Sequence, residues 1–196
     1  AIKSLVPDNK GFAQKTRYSM KGSNTGRLTV DSGPNILTMK SEARSAFQSR
    51  YREGRIVQID LTAAEPTIAL NFSGQKIPED VYSHIAKEVL NDSVSREDAK
   101  LVVLCALYGQ SPKNLQERLP ESVNARHVIK KCRDYFDVNR LESILFRQLK
   151  EGQLRNVVGR PLRLTLENRR LLISYFLQSS AAELSILLFS SLCQSL

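Results

Sequence analysis

Two cations and an aromatic ring recur at helical spacing near the middle of the chain. Arg96, Lys100 and Leu104 are four residues apart, and Leu107 and Tyr108 follow one turn later. With about 3.6 residues per turn, these positions share one face of a helix. Arginine and lysine bind phosphate, and a tyrosine ring can stack on a base. The pattern predicts either a face that meets a nucleotide or a solvated face of an amphipathic helix.

One carboxylate, Asp60, follows an apolar segment. Residues 55–61 (RIVQIDL) alternate and are β-branched, which predicts a strand ending near Asp60. A carboxylate at a strand end can be aimed into a cleft, where it suits a hard cation such as Mg²⁺. A surface aspartate is the alternative interpretation. Glu65 follows five residues later, in the predicted helix 63–72.

Two weaker patterns lie near the ends of the chain. The segment TGRL at 25–28 and Asn35 lie in a Gly- and Ser-rich lead-in of about 35 residues, predicted as a loop. There, glycine and Arg27 could let backbone and guanidinium approach a phosphate chain, although a plain loop has the same composition. Arg170, Ser174 and Gln178, spaced by four, place a cation, a hydroxyl and an amide on one line of the last helix.

Composition bounds the elements that must position these residues. The 196 residues can bury a core, and 29 Lys and Arg against 20 Asp and Glu give a net charge of +9. This charge favours a polyanionic partner, nucleic acid first, or else serves solubility. Three scattered cysteines and two histidines argue against a zinc site or a disulfide framework. The apolar tail is interrupted by polar residues and predicts a buried helix, so no membrane partner is expected.

The periodicity predicts a mostly helical chain with few strands. Proline and glycine mark a hairpin over residues 155–164, and helix signals fall in seven further segments. The predicted helices cover residues 41–51, 63–72, 78–90, 95–107, 111–119, 121–150 (as one helix or two) and 167–196.

Six segments between about Thr25 and Leu192, taken in order, resemble the family A DNA polymerases. TGRLTVDSGPNIL resembles the stretch that contacts template and primer, RIVQIDLTAAEPTIALNFSG resembles motif A, and REDAKLVVLCALYGQSPKNLQERL resembles motif B. PEDVYSHIA, GRPLRL and RRLLISYFLQSSAAELS resemble three further conserved stretches of that family. One such match would be weak, whereas six in the family's order are specific.

The resemblance implies a fold and an activity. The fold would be α+β and predominantly helical, with a partial antiparallel palm sheet and helical fingers. Palm residues would lie in 1–72, fingers in 73–150, and a return to the palm in 151–196. The activity would be template-directed transfer of deoxynucleotides from dNTPs to the 3′-OH of a primer, with two Mg²⁺ ions. Template–primer DNA would be the partner, in the cytoplasm of a bacterium or a phage-infected host cell.

The resemblance also implies roles for single residues. Asp60 and the carbonyl of Leu61 would bind magnesium, and Glu65 would exclude a ribose 2′-OH. Arg96 and Lys100 would hold the β- and γ-phosphates during catalysis. Further nucleotide contacts would come from Leu104, Tyr108 and Gly109, and DNA contacts from Thr25, Arg27, Asn35, Arg44, Arg170, Ser174 and Gln178.

Several positions depart from the family pattern. Tyr82 stands where histidine is usual, Leu104 where an aromatic residue is usual, and Ser174 where asparagine is usual. Ser179-Ser180 replaces Gly-Thr, and Glu183 replaces aspartate.

The largest departure is that the His-Asp pair of motif C, which carries the second metal carboxylate, does not occur in this sequence. We therefore expect a fragment that is inactive alone, without thumb or exonuclease domain. A missing segment or a second chain is the expected source of motif C.

Two alternatives remain open at this point. The chain could be a non-catalytic module that binds template–primer or nucleotide on a polymerase fold. It could also belong to the single-subunit RNA polymerases, whose motif B has a similar Lys…Tyr-Gly pattern. Glu65 and the TGRL segment argue against the second alternative, because an RNA polymerase must admit the 2′-OH.

Overall fold

The computed structural model describes residues 6–195, without the side chains of Leu37, Ser41 and Ser195. Its contacts form two compact units, an N-terminal unit that ends at Leu61 and a C-terminal unit that begins at Thr62. The predicted division into palm (1–72), fingers (73–150) and a return to the palm (151–196) concerns function rather than compactness, and it stays a prediction.

The N-terminal unit contains a short hairpin. Strand β1 (Arg17–Ser19) pairs antiparallel with β2 (Thr29–Ser32), so the predicted lead-in loop contains a small sheet. Gly33 turns the chain with φ +85°, and a Cβ there would come within 2.7 Å of the Lys15 carbonyl oxygen. A 3₁₀ turn (Ile36–Thr38) and helix α1 (Ser41–Arg44) follow. The predicted helix over 41–51 is therefore only four residues long.

The predicted strand over residues 55–61 is wrong. These residues have no regular secondary structure, and the side chains of Ile56, Val57 and Ile59 are exposed. An alternating pattern forms a strand only where a neighbouring strand takes up its hydrogen bonds. Among residues 6–61, the described strand pairing is that of β1 with β2, so this segment has no strand beside it.

The C-terminal unit is helical, and the helices predicted there are confirmed apart from their ends. Residues 121–150 form two helices, because the chain turns at Asp137, whose φ of +47° is left-handed. The elements are α2 (Ala64–Ser73), α3 (Val81–His84) with a π turn (Ile85–Val89), α4 (Arg96–Tyr108), α5 (Pro112–Gln116), α6 (Ala125–Tyr135), α7 (Val138–Lys150), a 3₁₀ turn (Leu166–Leu171) and α8 (Leu172–Ser195).

Helix α4 lies at the centre of this unit. It packs against α3, α5, α6 and α8, while α2 packs against α8. The side chains that fill the core are fully buried and aliphatic or aromatic, which is the main source of stability in such a unit. The largest include Phe136, Leu70, Ile85, Leu107 and Leu177. The fold is thus α-rich with one small antiparallel sheet, in agreement with the predicted α+β class.

Local signals fix both ends of α4. The Ser95 hydroxyl accepts a hydrogen bond from the Asp98 backbone N–H at 3.1 Å, which caps the first turn. Gly109 ends the helix in the left-handed region, with φ +65°. Arg96 is therefore the first helical residue and Tyr108 the last.

Helix α8 is buried in its first half and largely exposed in its second. Within the described residues, Leu166–Gln194 is long and apolar enough to cross a membrane by length and composition, and 44% of its apolar stretch is buried. The core helix of a soluble protein can have the same length and composition, so these two properties assign no membrane role to α8.

Candidate phosphate-binding site

The exposed face of α4 carries the predicted cations. Arg96 and Lys100 are exposed, and Leu104 and Tyr108, further along the same face, are half-buried. Leu107 is different: it is 2% exposed and belongs to the core, so its predicted place on this face is wrong. One residue along a helix rotates the side chain by about 100°, which separates Leu107 from Tyr108.

Tyr82, from α3, lies beneath both cations. The Arg96 guanidinium carbon is 5.7 Å from the centroid of the Tyr82 ring, and the Lys100 Nζ is 6.0 Å from it. The ring is buried, and its electron-rich face attracts positive charge. Tyr82 therefore holds two cations close together on one surface.

Asp80 fixes the orientation of Arg96. Its Oδ2 accepts a hydrogen bond from the Arg96 Nε at 2.7 Å. Its Oδ1 accepts from the backbone N–H groups of Tyr82 and Ser83 at 3.0 and 3.2 Å, which makes Asp80 the N-cap of α3. One carboxylate thus joins the start of α3 to the start of α4.

The electrostatics of this pair follow from the contact. The hydrogen bond from Arg96 lowers the pKa of Asp80 to about 2. The same bond raises the pKa of Arg96. Both groups are therefore charged at any physiological pH, and the guanidinium has a defined direction.

The negative charge of Glu65 influences the Tyr82 hydroxyl. Burial, and then the negative charge of Glu65, raise the pKa of the Tyr82 hydroxyl. Glu65 stands in the first turn of α2, where the helix dipole favours an acidic side chain. Glu65, Tyr82, Arg96 and Lys100 are thus brought into one electrostatic neighbourhood, although only three of them were predicted as site residues.

This arrangement suits a polyphosphate. Asp80 accepts from the Nε of Arg96, and Glu97 Oε1 lies 3.9 Å from Nη1, beyond hydrogen-bond distance, so the Nη groups can donate to another anion. Lys100, one turn further on, forms no ion pair with any described side chain under 4.0 Å. Two adjacent cations on a rigid helix can bind the two terminal phosphates of a nucleotide.

The remaining predicted nucleotide contacts lie further along α4. Leu104 lines a cavity of about 500 Å³ that also includes Leu101, Gln110 and Arg118. Tyr108 packs partly against the core, and Gly109 is exposed at the helix end. The axis of α4 therefore runs from cations to apolar and aromatic groups, as the sequence predicted.

The three polar residues predicted at the last helix do not form one exposed line. Arg170 is exposed in the 3₁₀ turn before α8, and Gln178 is half-buried in the helix. Ser174 is 9% exposed, and its hydroxyl donates to the Leu171 carbonyl oxygen at 2.9 Å. The internal bond already satisfies this hydroxyl.

The sequence did not predict a buried polar network that joins the 155–161 turn to α8. The Asn156 Nδ2 donates to Glu183 Oε2 at 2.7 Å and to Ser179 Oγ at 3.1 Å. The Asn156 Oδ1 accepts from the backbone N–H groups of Val158 and Arg160, which closes the 155–161 turn. Glu183 and Ser179 had drawn attention in the sequence as departures from the family pattern, but nothing there linked them to Asn156.

The predicted residues of the N-terminal unit are placed as follows. Thr25 is buried, and its hydroxyl is 2.8 Å from that of Ser23. Arg27 and Asn35 are exposed. Arg44 donates to the Met39 carbonyl oxygen at 3.1 Å and to Gln58 Oε1 at 2.6 Å, so it ties residues 55–61 to α1.

The predicted metal ligands offer few oxygen atoms. Asp60 is exposed, and its Oδ1 accepts a hydrogen bond from the Leu61 backbone N–H at 3.0 Å. Among residues 6–195, no three Asp, Glu, His or Cys side chains are grouped to hold a metal. One carboxylate and one carbonyl can contribute to a single Mg²⁺ shared with substrate phosphates, but they do not form a two-ion centre.

Comparison with known proteins adds no assignment. No protein-family model matches the sequence, and no curated protein matches it.

Proposed function

We propose that the exposed face of α4 binds the phosphates of a deoxynucleoside triphosphate, and that the chain is a palm-and-fingers part of a family A type DNA polymerase. The observation that carries this proposal is the placement of Arg96 and Lys100 over the ring of Tyr82. The ordered resemblance in six segments supplies the class of reaction.

The chain's own residues would act by binding and orientation. Arg96, held by Asp80, would donate two parallel hydrogen bonds to one phosphate, and Lys100 would neutralise the next. These fixed positive charges would favour the extra negative charge that develops as pyrophosphate leaves. Because Tyr82 and Asp80 hold both groups before binding, little reorganisation would be needed.

The residues of this chain supply only part of a magnesium site. When bound, Mg²⁺ would lower the charge on the attacking and leaving oxygens of the phosphoryl transfer. Asp60 and Leu61 are the ligands that the resemblance implies. Since they do not complete a two-ion centre, polymerisation would require a further carboxylate besides that of Asp60.

The test is nucleotide binding by the chain itself. Titration calorimetry with dATP and Mg²⁺ should show binding that Arg96→Ala and Lys100→Ala each weaken by about tenfold to a hundredfold, since a charge-assisted contact is worth about 1.5–3 kcal/mol. Arg147→Ala, which removes an exposed cation from α7, should leave the affinity unchanged. Equal binding by all four proteins would overturn the proposed site.

A non-catalytic binding module is the second candidate. The observation that favours it is the lone carboxylate of the predicted metal site, because phosphate binding needs only α4 and α3, whereas polymerisation needs the second carboxylate. A primer-extension assay with Mg²⁺, run with and without an added segment carrying a His-Asp pair, separates the two. Nucleotide binding without incorporation in both reactions would favour the module.

The ribose selectivity separates DNA synthesis from RNA synthesis. The negative charge of Glu65 raises the pKa of the Tyr82 hydroxyl, and we propose that the same carboxylate acts on a sugar bound beside the phosphates. In the same titration, Glu65→Ala should bring the affinity for ATP close to that for dATP. An unchanged preference would show that Glu65 does not exclude the 2′-OH.

A further inference from the structure

A second cationic surface lies between helices α5 and α6, beside the C-terminal end of α4, where Gly109 lines one of its cavities. Two open cavities of about 460 and 400 Å³ adjoin there, and Pro112 and Arg126 line both. We call the two together the α5–α6 cleft. Its polar lining comes from several elements, so the cleft does not depend on one helix terminus.

The cleft carries more positive than negative charge. Lys113 and Arg126 line the first cavity and form no ion pair with any described side chain under 4.0 Å. Lys130 and Arg133 line the second. The acidic residues of the lining are Glu117 and Asp134, and Asp134 pairs with Lys130 at 3.1 Å.

The Arg133 guanidinium lies at the wall of the cleft, and its hydrogen-bond partners do not neutralise its charge. Its Nη1 donates to the Ala106 carbonyl oxygen at 3.0 Å, and its Nη2 donates to the Asn139 Oδ1 at 3.3 Å. Both acceptors are uncharged, so the guanidinium keeps its full positive charge while its direction is fixed. Asn139 itself also lines the second cavity and offers further hydrogen-bonding capacity.

We propose that the α5–α6 cleft binds the sugar-phosphate backbone of a single-stranded nucleic acid. The inference rests on the proposed function for the identity of the polyanion. Cations spaced along a cleft follow the charges of a phosphate chain, and contacts of this kind are independent of base sequence. A flexible single strand can enter two adjoining concave cavities, whereas a rigid duplex touches only their rims. Among the described residues, no aromatic side chain lines either cavity, so binding depends on phosphate contacts rather than base stacking.

The variant Lys113→Gln/Arg126→Gln tests the cleft. The probe is a fluorescein-labelled oligothymidylate of 16 nucleotides, followed by fluorescence anisotropy over a range of KCl concentrations. Loss of two phosphate contacts should weaken binding about tenfold near 0.1 M salt and reduce the slope of log K against log salt by about 1.4. A matched variant, Arg147→Gln/Lys150→Gln, removes the same charge from α7 and should change the affinity less than about twofold.

A parallel measurement of dATP binding distinguishes failure of the cleft from failure of the proposed nucleotide site. The cleft variant should bind dATP with Mg²⁺ as the unmodified chain does, because it leaves α4 intact. If oligothymidylate binding is unchanged in the cleft variant while dATP still binds, the cleft is wrong and the nucleotide site stands. If dATP fails to bind but the cleft variant weakens oligothymidylate binding, the nucleotide site is wrong and the cleft stands. Equal affinity for a blunt hairpin duplex would overturn the assignment to a single strand.

Discussion

The two units hold their candidate residues in different ways. In the C-terminal unit, Arg96, Lys100 and Tyr82 project from helices whose other faces are buried in an apolar core. In the N-terminal unit, Asp60 and Arg27 lie in exposed segments, and local polar contacts such as that of Arg44 with Gln58 connect the chain. Apolar burial can fix a side chain firmly, whereas exposed polar bonds stabilise a fold only weakly.

The candidate side chains are therefore held in place in the C-terminal unit and not in the N-terminal unit. The cations of α4 keep their spacing because α4 is the most heavily packed helix of its unit. The segment around Asp60 has alternating apolar residues exposed to solvent, so apolar burial does not fix its geometry. Three pairs of matched substitutions, with one member in each unit, test this difference.

The phenylalanine pair has the largest expected effect. Phe136 is 0% exposed and touches the core of the C-terminal unit, whereas Phe12 is 49% exposed. Phe136→Ala should lower the free energy of unfolding by about 3–5 kcal/mol, since it leaves a cavity that the helices cannot fill. Phe12→Ala should change it by less than about 0.5 kcal/mol. Urea denaturation followed by circular dichroism measures both, and equal effects would end the distinction between the units.

The same contrast explains how much of the fold the sequence could predict. Helices of the C-terminal unit were predicted because their apolar residues recur at the helical period and their ends carry local signals, such as Gly74 after α2 and Ser111 before α5. The face of Arg96 and Lys100 follows from the same period. Segment 55–61 has an equally clear pattern, but a strand also needs a partner, and a partner is not encoded in the segment itself.

The supporting contacts of the site could not be predicted for a related reason. Asp80 bonds to Arg96 across sixteen residues, and Asn156 bonds to Glu183 across twenty-seven. No periodicity links such positions, because the tertiary fold alone brings them together. Asp80 did carry one local signal, that of an N-cap residue before a helix, but this signal says nothing about Arg96.

The asparagine pair tests whether buried polar groups stabilise the C-terminal unit more than exposed ones stabilise the N-terminal unit. Asn156 is 5% exposed and its amide bonds to Glu183 and Ser179, whereas Asn35 is exposed. Asn156→Ala should lower the free energy of unfolding by about 2 kcal/mol, because buried donors and acceptors lose their partners. Asn156→Asp should cost more, since it places a second carboxylate beside Glu183.

Asn35→Ala is the control and should change the free energy of unfolding by less than about 0.5 kcal/mol. Thermal unfolding of the three variants side by side measures these differences. A larger loss at Asn35 than at Asn156 would mean that the N-terminal unit depends on polar contacts as strongly as the other unit does.

The aspartate pair has the smallest effect and adds a dependence on pH. Asp80→Ala removes both the cap of α3 and the partner of Arg96, which should cost about 1–2 kcal/mol near neutral pH. Asp60 accepts only the Leu61 backbone N–H among the described bonds, so Asp60→Ala should cost less than about 0.5 kcal/mol.

The sign of the pH effect follows from the pKa of Asp80, which is lowered in the folded state from 3.8 to about 2. A carboxyl whose folded pKa is depressed stabilises the fold above its unfolded pKa, and this contribution is lost as the pH falls through the folded value. The difference in Tm between the unmodified chain and Asp80→Ala should therefore be constant above pH 5 and shrink between about pH 4 and pH 2.

Asp80→Asn, which keeps a capping side chain, should retain most of the stability and lack this dependence on pH. If the Tm difference instead stayed constant down to pH 2, the ion pair with Arg96 would not contribute, and the cap alone would account for the role of Asp80.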